Sequence, residues 1–245
     1  MIFFCLSPKH CLSLPETNQT WTYEKTIVYP YSAPCHGGDF AKDSPESYHI
    51  KVIRTDGTSF EGYNNTLLSD YLRPKVTEIS VSTQFGGEPV KYTGNDVRRV
   101  IFTATQSDTV PKIFDAVKAQ SKLPNLFSKN PKPYKQPVFL RLVYDGENVR
   151  GYAMPYTDHT MVPGRTTILY TWRYFYLTKD SDVAKAYWDD TDGVVPGMKK
   201  VMKFYFREFP EIVKMVDNGE LTPEMFQKNP AMILPLMDKH YQPAK

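Results

Sequence analysis

Cysteine is scarce in this chain of 245 residues, where it occurs only as Cys5, Cys11 and Cys35. A disulfide framework therefore does not organise the body of the chain, because no cysteine follows position 35. If the protein is exported, two of the three cysteines can pair and one is left over. Long apolar runs are also lacking, and no stretch approaches the eighteen or so residues of a membrane-spanning helix.

The spacings typical of catalytic and metal sites are absent. No Gly-x-Ser-x-Gly elbow occurs, and no two of the five histidines have the spacing with which zinc hydrolases place two ligands on one helix face. The acidic stretch Asp189–Gly193 does not fit a calcium loop, because Trp188 would stand at its first ligand position. We therefore predict no catalytic residues, no metal site and no cofactor.

Charge is nearly balanced but unevenly placed. A formal net charge of +3 is too small to indicate a nucleic-acid partner. Lysines nevertheless crowd the stretch from Lys112 to Lys135, and acids crowd the stretch from Asp180 to Asp192. Such runs are typical of a solvated face, and the sharper interpretation is an electrostatic docking surface. On that interpretation the partner-binding residues are Lys112, Lys118, Lys122, Lys129, Asp189, Asp190 and Asp192.

Hydrophobic periodicity predicts strands in the first two thirds of the chain. Two hairpins are indicated by Asp-Gly turns, one at Asp56-Gly57 and one at Asp145-Gly146, each between alternating apolar segments. Further strands are predicted over 20–29, 76–85 and 97–105, and the longest over 165–177. The Pro- and Lys-rich stretch 124–137 carries no pattern and is predicted to be a long surface loop.

Helices are predicted mainly after residue 182. Segments 183–188, 198–209, 211–217 and 222–239 show helical spacing or caps, and an earlier helix, capped by Asp108 or Thr109, is predicted to run to about Ser121. This order indicates an α+β fold, an antiparallel sheet with helices gathered in the C-terminal third. Residues 1–20 are predicted to be an extended tether and residues 21–245 a single α+β domain, with a cut near 129–137 as the two-domain alternative.

The segment Leu14–Thr105 contains a tether that leads to Trp21, the motif Pro30-Tyr-Ser-Ala-Pro34, the first Asp-Gly turn and the motif Val90-Lys-Tyr-Thr-Gly-Asn-Asp96. With these features the segment resembles a family of exported bacterial lipoproteins of unknown function. Some members of this and related lipoprotein families are immunity proteins that act beside type VI secretion effectors. The resemblance implies export to the bacterial periplasm or envelope, with lipid-anchored membrane association, and the cytoplasm is the alternative.

Together with the absence of catalytic spacings, this resemblance implies a non-catalytic binding protein. Its partner would be a cognate secreted protein toxin, inhibited by occlusion of its active site, and a few anchors with a charged rim would supply affinity. The alternative is an enzyme, such as a hydrolase, whose active site is assembled from dispersed residues and would require a pocket with titratable groups.

Overall fold

The protein is described by a computed structural model over residues 48–64, 67, 75–103, 111–125, 128–162, 165–189 and 197–243. Within these ranges it forms ten strands followed by four α-helices, so the predicted α+β class is confirmed. The strands are β1 (His49–Arg54), β2 (Ser59–Tyr63), β3 (Glu78–Val81), β4 (Val90–Thr93), β5 (Val97–Phe102), β6 (Lys112–Val117), β7 (Val138–Asp145), β8 (Val149–Val162), β9 (Arg165–Thr178) and β10 (Lys185–Asp189). The predicted tether 1–20 and the predicted strand 20–29 lie outside the described residues.

The helices follow the last strand. They are α1 (Met198–Tyr205), α2 (Pro210–Asn218), α3 (Pro223–Lys228) and α4 (Ile233–Lys239), with a 3-10 turn at Pro230–Met232. None of the helices in the described part of the chain is long and apolar enough to cross a membrane. The predicted helix 222–239 is interrupted, because Pro230 lacks an N–H and holds Asn229 in an extended conformation (φ −149°, ψ 86°).

Eight strands form one antiparallel sheet in the order β10-β9-β8-β7-β6-β5-β1-β2, and β3 and β4 form a separate pair. Both predicted hairpins are present, as β1–β2 and β7–β8. In the first, Gly57 takes the positive φ of 87° that the turn requires. Asp56 completes it by accepting a 2.9 Å hydrogen bond from the amide of Thr58.

The sheet curls between β6 and β10. Four spacings of about 4.8 Å would separate these strands by about 19 Å in a flat sheet. Ala119, two residues after β6, nevertheless forms a parallel bridge with Ala184, just before β10. The bridge is carried by two hydrogen bonds, from the amide of Gln120 to the carbonyl of Ala184 (2.9 Å) and from the amide of Ala184 to the carbonyl of Lys118 (2.8 Å).

The curl divides the core between two faces. We call the concave side, which carries the bridging alanines, the inner face; its core includes Leu140, Tyr152, Met154 and Phe175. The outer face is covered over β1, β5 and β6 by the β3–β4 pair, through residues such as Ile79 and Val81. Over β7 to β10 it is covered by the helices, whose predicted stripe supplies Met198, Met202, Phe206 and Phe209 to the core and packs Val201 and Tyr205 against it.

The helix predicted from Thr109 to Ser121 is wrong, because residues 112–117 form strand β6. This strand lies between β5 and β7 and is hydrogen-bonded to both. Ile113 and Val117 are four residues apart, a spacing that places two side chains on one face of a helix and equally on one face of a strand. Phe114 and Ala116 alternate with them and face the outer core, which only the strand period allows.

The helix predicted over 183–188 is also wrong, because residues 185–189 form β10. The strand pairs with β9, and a bulge between Ala186 and Trp188 shifts the register. The bulge lets the consecutive side chains of Tyr187 and Trp188 both enter the outer core. Local helical composition is overridden here by pairing with a long neighbouring strand.

Helix α4 fastens the helical layer to the sheet. It packs against Gly151, where an added Cβ would lie 2.2 Å from Cδ1 of Leu234. In the same helix, the Asp238 carboxylate accepts hydrogen bonds from the amides of Asn148 (2.6 Å) and Val149 (2.8 Å) in the β7–β8 turn. The hydroxyl of Tyr144 donates a further bond of 3.1 Å to Asp238.

Replacing Asp238 with alanine is expected to destabilise the fold by about 2 kcal/mol, because half-buried donors of the β7–β8 turn lose their acceptor. Urea unfolding would measure this, and amide exchange at Asn148 and Val149 should accelerate more than exchange in β1. Asp182→Ala removes an exposed carboxylate and serves as control. Equal stability of the two variants would contradict this role of Asp238.

Candidate functional site

Residues 118–135 form a lysine-rich excursion between β6 and β7, which we call the basic loop. Two limbs, 119–121 and 132–134, run antiparallel and meet at the Gln120–Pro133 bridge. The amide of Tyr134 donates to the carbonyl of Ala119 (2.9 Å), and the amide of Ser121 donates to the carbonyl of Lys132 (3.1 Å). The predicted surface loop is therefore folded, with both limbs held together by main-chain hydrogen bonds.

A buried ion pair attaches the basic loop to the inner face of the sheet. Arg173 of β9 binds Asp189 of β10 through two hydrogen bonds, of 2.6 and 2.7 Å. The same guanidinium donates a 2.9 Å bond to the carbonyl of Ser121. Gln120 of the basic loop adds a hydrogen bond of 3.1 Å, in which its side-chain oxygen accepts from the backbone amide of Ala186.

Apolar contacts complete the attachment of the basic loop. Leu123 and Tyr134 pack against the inner core, and Pro124 and Pro131 are buried. Over residues 118–125 and 128–135 the loop backbone is therefore held by hydrogen bonds and by packing, which lowers the conformational entropy that these residues lose when a partner binds.

The lysine side chains of the basic loop face solvent. Its five lysines, Lys118, Lys122, Lys129, Lys132 and Lys135, are all exposed, and the segment contains no acidic residue. None of them forms an ion pair with another residue of the described ranges. Lys75 adds a cation beside them, with its Nζ 5.9 Å from the ring centre of Tyr134. Five uncompensated charges of one sign create a positive potential that attracts an acidic partner.

Three of the four predicted lysines lie together in this loop, namely Lys118, Lys122 and Lys129. Lys112 does not join them. It begins β6 and is half-buried, and six residues of strand separate it from Lys118 by about 20 Å. A helix would have brought the two closer, so the strand assignment of β6 removes Lys112 from this surface.

The predicted acidic surface is not assembled from the described residues. Asp189 is buried at 7% exposure and is bound to Arg173, so its carboxylate is used inside the fold. Asp190 and Asp192 lie outside the described ranges. The run of aspartates does not predict that Asp189 is buried, because its burial depends on the position of Arg173, sixteen residues earlier in the chain.

A second ion pair, in which the carboxylate is buried and the guanidinium is partly exposed, lies on the same inner face. Asp115 of β6 binds Arg99 of β5 through bonds of 2.5 and 2.8 Å and accepts a third, of 3.1 Å, from the hydroxyl of Tyr152. The hydrogen bonds to Asp115 raise the pKa of Arg99, and burial raises the pKa of Tyr152. Both groups therefore stay protonated and serve as donors, an arrangement that stabilises the strands rather than activating a nucleophile.

The chain matches no protein-family model, no curated protein and no solved structure. Within the described ranges, no three His, Cys, Asp or Glu residues gather in a way that could hold a metal ion.

A surface depression of about 280 Å³ lies at the β7–β8 turn, lined by Gly146–Arg150, Leu177–Lys179 and Ser181. Glu147 is its one carboxylate, beside Arg150 and Lys179. A dispersed hydrolase site stays a prediction.

Replacing Asp189 with asparagine should destabilise the fold by about 3 kcal/mol, because the buried guanidinium of Arg173 loses the carboxylate that accepts two of its hydrogen bonds. The basic loop should loosen first, since Arg173 also holds Ser121, and limited trypsin digestion should cleave faster after Lys122 and Lys129.

The matched control replaces both partners, as Arg173→Met with Asp189→Leu, and should regain much of the unfolding free energy. If Asp189→Asn were as stable and as resistant to trypsin as the native chain, the ion pair would not hold the loop.

Proposed function

We propose that this protein is a stoichiometric, non-catalytic binding protein that docks an acidic protein partner on its basic loop. The observation that supports the proposal is the combination of five exposed lysines and a backbone anchored to the sheet through Arg173. Charges on a fixed backbone steer encounter and bind without the cost of ordering a loop.

We further propose that the partner is a cognate secreted bacterial toxin and that the basic loop occludes its active site. The resemblance of Leu14–Thr105 to exported lipoproteins, some of them immunity proteins, supports this more specific function. It also supports a location in the bacterial periplasm or envelope. A folded loop whose charged side chains are all lysines is a suitable shape for covering a cleft lined by carboxylates.

Charge reversal of the basic loop is expected to abolish capture of the partner. The bait is the full chain, used either as the native protein or as the triple variant Lys118→Glu, Lys122→Glu, Lys129→Glu. Mass spectrometry after a pull-down at moderate salt should find one secreted protein in equal proportion with the native bait only. Affinity for that protein should fall by about 100-fold or more, because like charges then face each other.

The control bait carries the same number of reversals at exposed lysines on β1, α3 and α4, namely Lys51→Glu, Lys228→Glu and Lys239→Glu. It should retain the partner. The captured protein must also lose its toxicity as the native chain is added, with an end point near one equivalent. Equal capture by the two triple variants would overturn docking on the basic loop, and a partner whose toxicity survives binding would overturn inhibition.

A further inference from the structure

Arg207, in the turn after α1, lies where the helical layer meets the basic loop. Its Nη1 donates a 2.8 Å hydrogen bond to the carbonyl of Phe204, and its Nη2 donates one of 3.2 Å to the carbonyl of Lys129. Its guanidinium carbon lies 4.7 Å from the ring centre of Phe204. The side chain is thus held by two carbonyls and an aromatic ring while the residue as a whole is exposed.

The charge of Arg207 is not neutralised by an acid of the described part of the chain. The adjacent Glu208 is bound instead by Lys185, with Nζ to carboxylate distances of 2.5 and 2.7 Å. A guanidinium has five N–H donors, and the two contacts above use two of them. Three N–H groups of the Arg207 guanidinium therefore remain to bind a ligand.

The surroundings of Arg207 extend the basic surface onto α1. Lys200 of that helix is exposed, whereas the exposed Lys199 donates a hydrogen bond to the carbonyl of Asp217 and its charge helps to lower the pKa of the Asp217 carboxyl. The contact between Arg207 and Lys129 joins this helix to the basic loop. Arg207 therefore lies at the junction of two basic elements that are far apart in the sequence.

We propose that Arg207 is the anchor of this surface and binds a carboxylate of an acidic protein partner, with the lysines of the basic loop forming the rim. The inference rests on the proposed function of the basic loop as a docking surface. A planar guanidinium held in place binds a carboxylate through two parallel hydrogen bonds, and arginine is enriched among residues that dominate interface energies.

A protein carboxylate fits better than a nucleic acid or a membrane surface. Single-stranded nucleic acids are bound by exposed aromatic side chains on which bases stack, and amphipathic membrane-binding segments insert apolar side chains. In the described ranges, which leave out Leu126 and Phe127 of the basic loop, the exposed large hydrophobic residues are Phe85, Val90 and Met225, and none of these three belongs to the basic loop or α1. The ring of Phe204 already lies against Arg207.

The test uses the full chain and poly-L-glutamate as a defined source of carboxylates, with binding measured by calorimetry at several salt concentrations. The native chain should bind poly-L-glutamate, and the affinity of the Arg207→Gln variant should be lower by at least about fivefold. Glutamine keeps an amide donor on a shorter side chain while the charge is lost, and unchanged trypsin cleavage after Lys129 in this variant would show that the basic loop stays in place. Arg207→Lys keeps the charge without the planar fork and should be intermediate.

Lys51→Gln removes one exposed charge from β1 and should bind like the native chain. Equal affinities of the Arg207→Gln and Lys51→Gln variants would overturn the anchor role. Tighter binding of a single-stranded oligonucleotide or of phosphatidylglycerol vesicles than of poly-L-glutamate would overturn the protein carboxylate as the ligand. If Arg207 binds poly-L-glutamate but no secreted toxin is captured, the anchor role is supported and the inhibitor function is overturned. If a toxin is captured and its affinity is unchanged by Arg207→Gln, the inhibitor function is supported and the anchor role is overturned.

Discussion

The buried ion pair between Arg173 and Asp189 is the interaction on which the exposed surface depends. It links two neighbouring strands of the curled sheet and, through the carbonyl of Ser121, fixes the basic loop that follows β6. Burying two charges costs several kcal/mol, and such a pair repays that cost only when its hydrogen bonds are well made. Here the two hydrogen bonds of the pair are well made, and the same guanidinium holds the carbonyl of Ser121 and with it the position of the basic loop.

The curl of the sheet explains how one segment serves both core and surface. Because β6 and β10 approach each other, the residues after β6 can pair with Ala184 while Leu123 and Tyr134 pack against the inner core. Leu123 and Tyr134 are thereby partly buried, and the lysines of the basic loop, whose burial would be prohibitively costly, are left outside. The same covering satisfies part of the edge of β10, which would otherwise be open to pairing with another chain.

The helical layer contributes differently. It covers the outer face of β7 to β10 with an aromatic-rich core, in which Phe226 lies edge-on against Trp188 and Phe206. It also presents Arg207 beside the basic loop. The proposed docking surface thus combines an element from the middle of the chain with one from its C-terminal third, and neither element by itself brings a fixed arginine together with a rim of lysines.

The sequence by itself determined the α+β class, the two Asp-Gly hairpins, the apolar stripe of α1 and the excess of lysine before β7, because these depend on local periodicity and composition. Only the tertiary structure decided that residues 112–117 and 185–189 are strands, since an apolar spacing of four suits both periods and pairing with neighbouring strands selects one. It also decided that Asp189 is buried, that Lys112 lies apart from the other lysines, and that Arg207 meets Lys129, because each depends on contacts between residues distant in the chain.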